Sequence, residues 1–158
     1  MRIIDLFSGV GGLTFGFYYR KYKDHFVRNR KNQFVFANEY NPLAAKAYSE
    51  NYPDIPMKNC DIKSLKESDI RKWIGSEPVD LIIGGPPCQS FSTVGQRNYD
   101  EKAQLYTEYL RVLKIARPKM FLFENVRGIL SMREIFYKRD AAGNILYELK
   151  DVEGRESL

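Results

Sequence analysis

A buried strand that runs into a rigid, cysteine-bearing turn constrains this chain more than any other feature. Residues 79–83, Val-Asp-Leu-Ile-Ile, form an apolar, β-branched run that is typical of a strand inside a parallel sheet. Residues 84–88, Gly-Gly-Pro-Pro-Cys, follow at once. Glycines let a ligand approach the backbone closely, and prolines stiffen the turn and remove N–H donors. Because open α/β sheets bind ligands at the carboxyl ends of their strands, the turn indicates a thiol held for chemistry. The alternative is that Cys88 is a small buried hydrophobe.

The N-terminus predicts a second ligand-binding turn. Residues 2–7 form a strand-like run, residues 8–12 read Ser-Gly-Val-Gly-Gly, and apolar spacing predicts a helix from Leu13 to about Tyr22. A glycine turn between strand and helix offers free N–H groups to a ligand. A dinucleotide-binding fingerprint requires a third glycine where Thr14 stands, which argues against a nicotinamide or flavin oxidoreductase.

Three more predicted strands end in polar residues. Residues 33–37 lead to Glu39, which can accept hydrogen bonds from both hydroxyls of a ribose or can serve as a charge at a helix start. Residues 57–59 lead to Asp61, which can accept from an adenine amino group or cap the next turn. Residues 120–123 lead to Glu124, a carboxylate predicted beside the thiol turn or, alternatively, a solvated cap.

The helices alternate with these strands. Asn41-Pro42 predicts the start of a helix that ends near Asn51, and Ser68 is predicted to cap a short helix through Trp73 that Gly75 closes. One helical face is predicted for Leu105, Tyr109, Leu110, Leu113 and Ala116. The order of elements predicts an α/β fold with a doubly wound, mostly parallel sheet.

The chain also divides along its length. We expect one cofactor-binding and catalytic domain over residues 1–130, with a lid over 93–102 beside the thiol. Residues 131–158 are predicted to form a hairpin around 140–144 and a frayed tail.

Composition narrows the setting. The sequence has no apolar run long enough for a bilayer span and no signal-peptide pattern, so we expect no membrane partner. Two cysteines make no disulfide framework, and a single histidine, His25, excludes an ordinary zinc finger. We therefore predict no metal and a reducing, cytoplasmic location. Cys60, with no visible base nearby, is predicted to be structural.

The net charge of +5 fits a polyanionic partner without requiring one. The densest basic run, residues 20–31, is predicted to be a solvated surface loop, although its neighbouring aromatic residues would also suit stacking on nucleic-acid bases.

Taken together, these motifs resemble the DNA (cytosine-5)-methyltransferases over residues 1 to about 130. Residues 5–12, Asp-Leu-Phe-Ser-Gly-Val-Gly-Gly, resemble the family's S-adenosylmethionine loop; residues 87–92, Pro-Cys-Gln-Ser-Phe-Ser, resemble its catalytic loop; and residues 124–126, Glu-Asn-Val, resemble its second catalytic element. The resemblance implies catalytic roles for Cys88 and Glu124. It implies cofactor contacts for Phe7, Ser8, Gly9, Gly11, Gly12, Leu13, Glu39, Tyr40, Asp61, Ile62, Gly85 and Leu105. It implies substrate contacts for Pro87, Gln89, Ser92 and Asn125.

The implied reaction is methylation of cytosine C5 in double-stranded DNA with S-adenosylmethionine. The Cys88 thiolate would add to C6 of a flipped base and make C5 nucleophilic, while Glu124 would hold N3 and the exocyclic amine. Restriction-modification is the setting that the resemblance implies. A tRNA cytosine methyltransferase shares the fold, but its loop departs from Pro-Cys-Gln; a non-catalytic cofactor- or DNA-binding module is the other alternative.

The family's later parts have no counterpart here: an arginine-containing strand, a target-recognition domain and a returning helix. None of Arg127, Arg133 and Arg139 stands in the arginine motif. The resemblance therefore implies a truncated chain or one subunit of a split enzyme, inactive alone, with exposed apolar surface that favours self-association.

Overall fold

The computed structural model describes residues 1–87 and 105–125, with the backbone alone of 134–139 and 145–150. The strands, in chain order, are β1 (Arg2–Leu6), β2 (Tyr19–Tyr22), β3 (His25–Arg28), β4 (Gln33–Glu39), β5 (Met57–Asn59), β6 (Leu81–Gly84), β7 (Met120–Phe123), β8 (Glu134–Arg139) and β9 (Ile145–Lys150). The helices are α1 (Gly12–Tyr18), α2 (Pro42–Asn51), α3 (Glu67–Ile74) and α4 (Leu105–Ala116), with a 3₁₀ turn at Ile62–Ser64.

Five strands form one parallel sheet in the order β5-β4-β1-β6-β7. The order reverses direction beside β1, since the chain moves from β1 to β4 and β5 on one side and then to β6 and β7 on the other. The predicted doubly wound, mostly parallel α/β fold is therefore confirmed. The glycine turn after β1 and the cysteine-bearing turn after β6 leave the same edge, because β1 and β6 are parallel neighbours.

Helices cover both faces of the sheet. On one face α1 and α2 enclose a cluster that includes Ile3, Phe34, Tyr48 and Ile83. On the other face α3 and α4 enclose a cluster that includes Ile4, Phe36, Ile70, Tyr109 and Val112. Alternate β1 residues enter opposite clusters, as expected for a strand with two buried faces.

The helix predicted from Leu13 to about Tyr22 is wrong in its second half. α1 ends at Tyr18, and the chain turns into the β2–β3 pair, with Tyr19 opposite Arg28 and Tyr22 opposite His25. Lys23, at the tip between the strands, has φ +52°, which a helix does not allow. The basic run predicted to be a solvated loop is thus a hairpin and its return.

Two local predictions are also wrong. Lys66, not Ser68, is the N-cap of α3, and Gly75 closes the helix as predicted, its N–H donating to Arg71 O. Leu110, predicted on the buried face of α4, is 42% exposed, and Val112 is fully buried instead. The buried stripe follows Tyr109 and Val112, three residues apart, which places Leu110 on the outer side.

The last strand of the parallel sheet carries exposed apolar side chains. Met120 is 55% exposed and Phe121 61% exposed. This agrees with the expectation of uncovered apolar surface.

By internal contacts the chain divides into two compact units, Met1–Pro86 with Leu105–Glu124, and Pro87–Gln104 with Asn125–Leu158. In the second unit β8 pairs antiparallel with β9, where the hairpin is predicted. None of the helices in residues 1–87 and 105–125 has the length and apolar character needed to cross a membrane.

Candidate active site

The glycine turn after β1 is shaped by left-handed backbone at three positions. Phe7 and Gly9 each have φ +55°, and Gly11 has φ +95°. The turn is pinned at its start, where Ser8 N–H donates to Asn38 O at 3.1 Å, and closed on itself, where Gly11 N–H donates to Ser8 O at 2.9 Å. A Cβ on Gly9 would meet no atom within 4 Å, so the space outside this residue is open.

Gly11 is required because Tyr52 occupies the space of a side chain there. A Cβ on Gly11 would lie 2.1 Å from Cε2 of Tyr52, closer than any real contact. The Tyr52 hydroxyl donates to Gly11 O at 2.8 Å. Tyr52, the residue after α2, therefore packs against the glycine turn and hydrogen-bonds to it.

A buried polar chain ties the two ends of the same turn together. Asp5 on β1 accepts a short hydrogen bond from the Thr14 hydroxyl on α1, and that hydroxyl lies 2.8 Å from the Tyr48 hydroxyl on α2. Asp5 is 1% exposed, and Thr14 and Tyr48 are fully buried. Thr14, which spoils a dinucleotide fingerprint, thus has a role of its own in fixing the start of α1.

Two buried polar atoms at this turn have no hydrogen-bond partner within the described residues: Oδ1 of Asp5 and Oγ of Ser8. Burial raises the pKa of the Asp5 carboxyl from 3.8 to about 7; the hydrogen bond from Thr14 opposes this rise and the Glu39 carboxylate adds to it. Unpartnered buried polar atoms are costly and mark places where a ligand, a water or a proton completes the structure.

Glu39 bridges the tips of β1 and β4. Its Oε2 accepts from Gly9 N–H at 2.8 Å and its Oε1 accepts from Asn41 N–H at 2.7 Å. Each carboxylate oxygen has a further lone pair, so the group can still accept from vicinal hydroxyls. Tyr40, the next residue, is 74% exposed and flanks the same open edge.

Asp61 stands at the tip of β5 and is exposed. Its Oδ1 accepts from Lys63 N–H at 2.9 Å, so it caps the 3₁₀ turn, which is one of the two roles that the sequence leaves open. Ile62 is only 3% exposed and packs in the α3–α4 cluster. Asn38 orients this tip, since its Nδ2 donates to Lys58 O at 2.9 Å and to Cys60 O at 3.0 Å.

The tip of β6 is packed too tightly for any side chain at Gly84. A Cβ there would lie 2.5 Å from Leu6 O and 2.8 Å from Cε2 of Tyr109. The Tyr109 hydroxyl donates to Ile82 O at 3.1 Å and to Leu122 O at 3.0 Å, which joins α4 to β6 and β7. Gly84 therefore fixes the height at which the cysteine-bearing turn leaves the sheet.

Glu124, at the tip of β7, lies against the start of that turn. Its N–H donates to Gly84 O at 2.9 Å. A Cβ on Gly85 would be 2.9 Å from Oε2 of Glu124, so the absence of a side chain at Gly85 makes room for the carboxylate. The predicted neighbourhood of a carboxylate and the Gly-Gly-Pro-Pro turn is present.

The remaining candidate residues are placed as follows. Leu13 and Leu105 are half-buried against the two core clusters, and Gly12 is exposed at the start of α1. Pro87 and Asn125 belong to the second compact unit. Cys88, Gln89, Ser92, Val126 and the predicted lid over 93–102 lie outside the described residues.

Three supporting side chains escape the sequence motifs: Tyr48, Tyr52 and Thr14. The two tyrosines are four residues apart, one helical turn, which places both on the side of α2 that faces the glycine turn. That spacing is the only sequence signal for the two tyrosines, because their partners, Thr14 and Gly11, lie 34 and 41 positions away in the chain.

The residues at this edge fit an adenosyl cofactor. An open glycine turn, a carboxylate at the tip of β4 and an exposed carboxylate at the tip of β5 stand in line along one edge of the sheet. In the described part of the chain, no three His, Cys, Asp or Glu side chains gather into a set that could hold a metal ion.

Comparisons with known proteins agree with this geometry. The family model for the C-5 cytosine-specific DNA methylases matches residues 1–152. Type II methyltransferase M.AgeI of Thalassovita gelatinovora is 42% identical over 135 residues, which are 84% of this chain and 29% of that protein. Type II methyltransferase M.NgoPII of Neisseria gonorrhoeae is 40% identical over 135 residues, which are 84% of this chain and 35% of that protein.

Among solved structures, a prophage-encoded E. coli protein described as a DNA modification methyltransferase superposes with a TM-score of 0.65 at 34% identity. The match covers 82% of this chain and 33% of that one. The matches span between 28% and 50% of the length of eight such curated relatives. It belongs to the C-5 cytosine-specific DNA methylase family, of which it carries an N-terminal portion.

Proposed function

We propose that this chain supplies the cofactor-binding and catalytic part of an enzyme that methylates C5 of cytosine in double-stranded DNA, in a restriction-modification setting. One observation carries the proposal: Glu124 lies against Gly85, three residues before Cys88, at the ligand-binding edge of the sheet. A carboxylate beside a thiol-bearing turn supplies the two groups that cytosine carbon methylation requires.

S-adenosylmethionine, the proposed cofactor, supplies a methyl group on a positively charged sulfur. Glu39 would accept from the ribose hydroxyls, Asp61 from the adenine amino group, and the glycine turn would face the methionine end. The open space at Gly9 and the spare lone pairs of Glu39 support this assignment. Phe7, Tyr40, Ile62 and Leu105 are proposed to line it.

The thiolate of Cys88 would add to C6 of the base, which breaks the C5–C6 double bond and makes C5 nucleophilic. Glu124 would hold N3 and the exocyclic amine as charge develops on the ring. C5 would then take the methyl group as the bond from that methyl to the cofactor's sulfur breaks, and the sulfur would leave as a neutral thioether. Loss of the C5 proton returns its bonding pair to the ring and expels the thiolate. Because a stacked base exposes neither face, the cytosine must leave the helix first, and Pro87, Gln89, Ser92 and Asn125 are proposed to contact it.

We further propose that activity requires the portion corresponding to the rest of the relatives' length, on the same polypeptide or on a second subunit. The exposed Met120 and Phe121 on β7 support this, since an apolar strand of this kind calls for cover. Without that cover, self-association is expected. Sedimentation at increasing concentration tests it, and a monomer throughout would contradict it.

Covalent trapping tests the mechanism. Duplex DNA with 5-fluorocytosine at the target holds the adduct, because fluorine at C5 cannot leave as a proton. With the complementary portion and cofactor supplied, Cys88→Ser should abolish the adduct. Cys60→Ser, at the chain's only other cysteine, should retain it. An adduct formed by Cys88→Ser would refute the proposal.

Two other functions give different results in the same assay. A non-catalytic module would bind cofactor but form no adduct under any complementation. In a competition assay, tRNA would displace duplex DNA from a tRNA methyltransferase. The proposed enzyme should instead retain the duplex DNA.

A further inference from the structure

The β2–β3 hairpin and its return, residues 19–31, carry the net charge of the whole chain. This segment, named here the basic hairpin, has six basic residues and one acidic residue, a net charge of +5. The complete chain has 25 basic and 20 acidic residues, also +5. All other residues together are therefore neutral, and the positive charge is concentrated in 13 positions.

Five of these six cations form no ion pair with a carboxylate in the part of the chain that the structure describes. Within the described residues, Arg28 alone of the six forms an ion pair, with Asp54 at 3.2 Å. The other five are exposed: Arg20, Lys21, Lys23, Arg30 and Lys31. Unpaired, exposed cations retain their full attraction for a polyanion.

The hairpin is anchored, so that these charges are presented on a fixed frame. Arg28 donates to the backbone carbonyls of Asn29 at 2.6 Å and Asn32 at 3.0 Å, and its guanidinium lies 3.9 Å from the Tyr18 ring centroid. Asn29 N–H donates to Tyr18 O at 2.8 Å. The return of the hairpin therefore packs back onto the end of α1.

One side of the basic hairpin lines an open cavity of about 830 Å³. Four of its seven lining residues are cationic and none is acidic: Arg20, Arg28, Arg30 and Lys31. Small-molecule sites are enclosed, whereas this cavity is open to solvent. A broad, open, cationic surface fits the phosphate backbone of duplex DNA, which presents charges at regular intervals.

The basic hairpin lies at the opposite edge of the sheet from the candidate active site. The Met1 amino group donates to Lys31 O at 2.7 Å, and Gln33 N–H donates to Met1 O at 2.9 Å, so the return of the hairpin meets the amino end of β1. The glycine turn and Glu124 stand at the carboxyl ends. A strand of five residues separates the two edges by roughly 15 Å.

We propose that the basic hairpin is a second DNA-binding surface, which holds the phosphate backbone of duplex DNA independently of its sequence and away from the segment being methylated. The surface takes its ligand class from the proposed function, in which DNA is the substrate. It would keep the protein on DNA, or engage a neighbouring duplex, while the active-site edge is free.

The test measures binding of the 158-residue chain to a labelled poly(dA)·poly(dT) duplex between about 50 and 200 mM salt. This duplex has no cytosine, so binding to it does not depend on methylation. One variant removes five charges from the hairpin: Arg20→Gln, Lys21→Gln, Lys23→Gln, Arg30→Gln and Lys31→Gln. The matched control removes five exposed charges elsewhere: Lys46→Gln, Lys66→Gln, Lys72→Gln, Lys114→Gln and Arg117→Gln.

The hairpin variant should lose at least about tenfold in affinity, and the slope of log K against log salt should become shallower by up to about 4.5, near 0.9 for each phosphate contact. The control should change affinity less than about threefold, with a circular dichroism spectrum like that of the parent. Equal losses in both variants, or an unchanged slope in the hairpin variant, would overturn the proposal. Tighter binding to anionic lipid vesicles than to the duplex would also overturn it. A methylation failure in the trapping assay leaves this duplex result unaffected, so the two proposals fail separately.

Discussion

Carboxylates have different partners at the two ends of the parallel strands, called here the carboxyl edge and the amino edge of the sheet. At the carboxyl ends of the strands, Glu39 and Asp61 accept from backbone N–H groups, and Asp5 has one oxygen with no partner among residues 1–87 and 105–125. At the amino edge, Asp54 pairs with Arg28 and Asp80 pairs with Lys119 at 2.6 Å.

Backbone N–H groups position a carboxylate and leave its negative charge in place, whereas a guanidinium or ammonium group neutralises that charge. The carboxyl edge therefore retains acceptor capacity for a ligand, and the amino edge uses its acids for structure and leaves its surplus cations exposed. This difference indicates which carboxylates of the sheet remain available to a ligand. Substitutions at either end of the strands can test it.

The largest effect is expected for pH at Asp5. Its pKa is about 7 when folded and 3.8 when unfolded, so between about pH 4 and 7 the folded state holds a proton that the unfolded state has released. The free energy of unfolding should fall as pH rises through this range, by at most about 4 kcal/mol. Asp5→Asn should remove that component in urea titrations at successive pH values. The exposed Asp24→Asn carries the same charge change and should retain it.

A smaller loss is expected where the cysteine-bearing turn leaves the sheet. Gly84→Ala forces a methyl group against Leu6 O and the Tyr109 ring, and should cost about 3 kcal/mol in urea unfolding. Gly85→Ala meets only the movable Glu124 carboxylate and should cost less than about 1 kcal/mol. Equal costs at the two glycines would show that the packing described at Gly84 is relieved by a backbone shift.

A smaller loss of stability is expected when the hydrogen bond from Tyr52 to the glycine turn is removed. Tyr52→Phe keeps the ring in place and removes one of the two donors to Gly11 O, the other being Phe15 N–H at 3.0 Å, so a loss of about 1 kcal/mol in thermal unfolding is expected. Tyr22→Phe, on the exposed hairpin, serves as the control and should leave thermal unfolding unchanged. A neutral Tyr52→Phe would mean that water replaces the hydroxyl.

The smallest effect belongs to the amino edge. Burial opposes ionisation of Asp54, but hydrogen bonds from Tyr18 and Arg28 hold its pKa below 3.8. Its contribution is present above pH 4 and is lost as pH falls through the lowered value. Asp54→Asn should cost about 0.5–1 kcal/mol at neutral pH, and high salt should reduce that cost. A cost that is independent of salt would point to the Tyr18 hydrogen bond instead.

Much of this arrangement could be predicted from local patterns. The short apolar runs locate β1, β4, β6 and β7, and the polar residues after them mark the ligand-binding ends of the strands. Local spacing failed where tertiary context decides. The aromatic residues within 17–22 are also compatible with one face of a helix, yet the chain turns at Lys23 into a hairpin.

The supporting network was out of reach for a different reason. Asp5, Thr14, Tyr48 and Tyr52 interact across 9 to 41 positions, and no local period brings them together. In the sequence, Asp5 is a polar residue that interrupts an apolar strand. Its role follows only from its hydrogen bond with the Thr14 hydroxyl on α1.

The grip of Tyr52 on Gly11 links the glycine turn to a residue 41 positions further along the chain. The docked end of α2 therefore supports the turn, and we expect a molecule that tightens the turn to slow the opening of that end of α2. The rate of amide hydrogen exchange in the last turn of α2 would then report whether a ligand is bound at the glycine turn, although the residues measured do not contact that ligand.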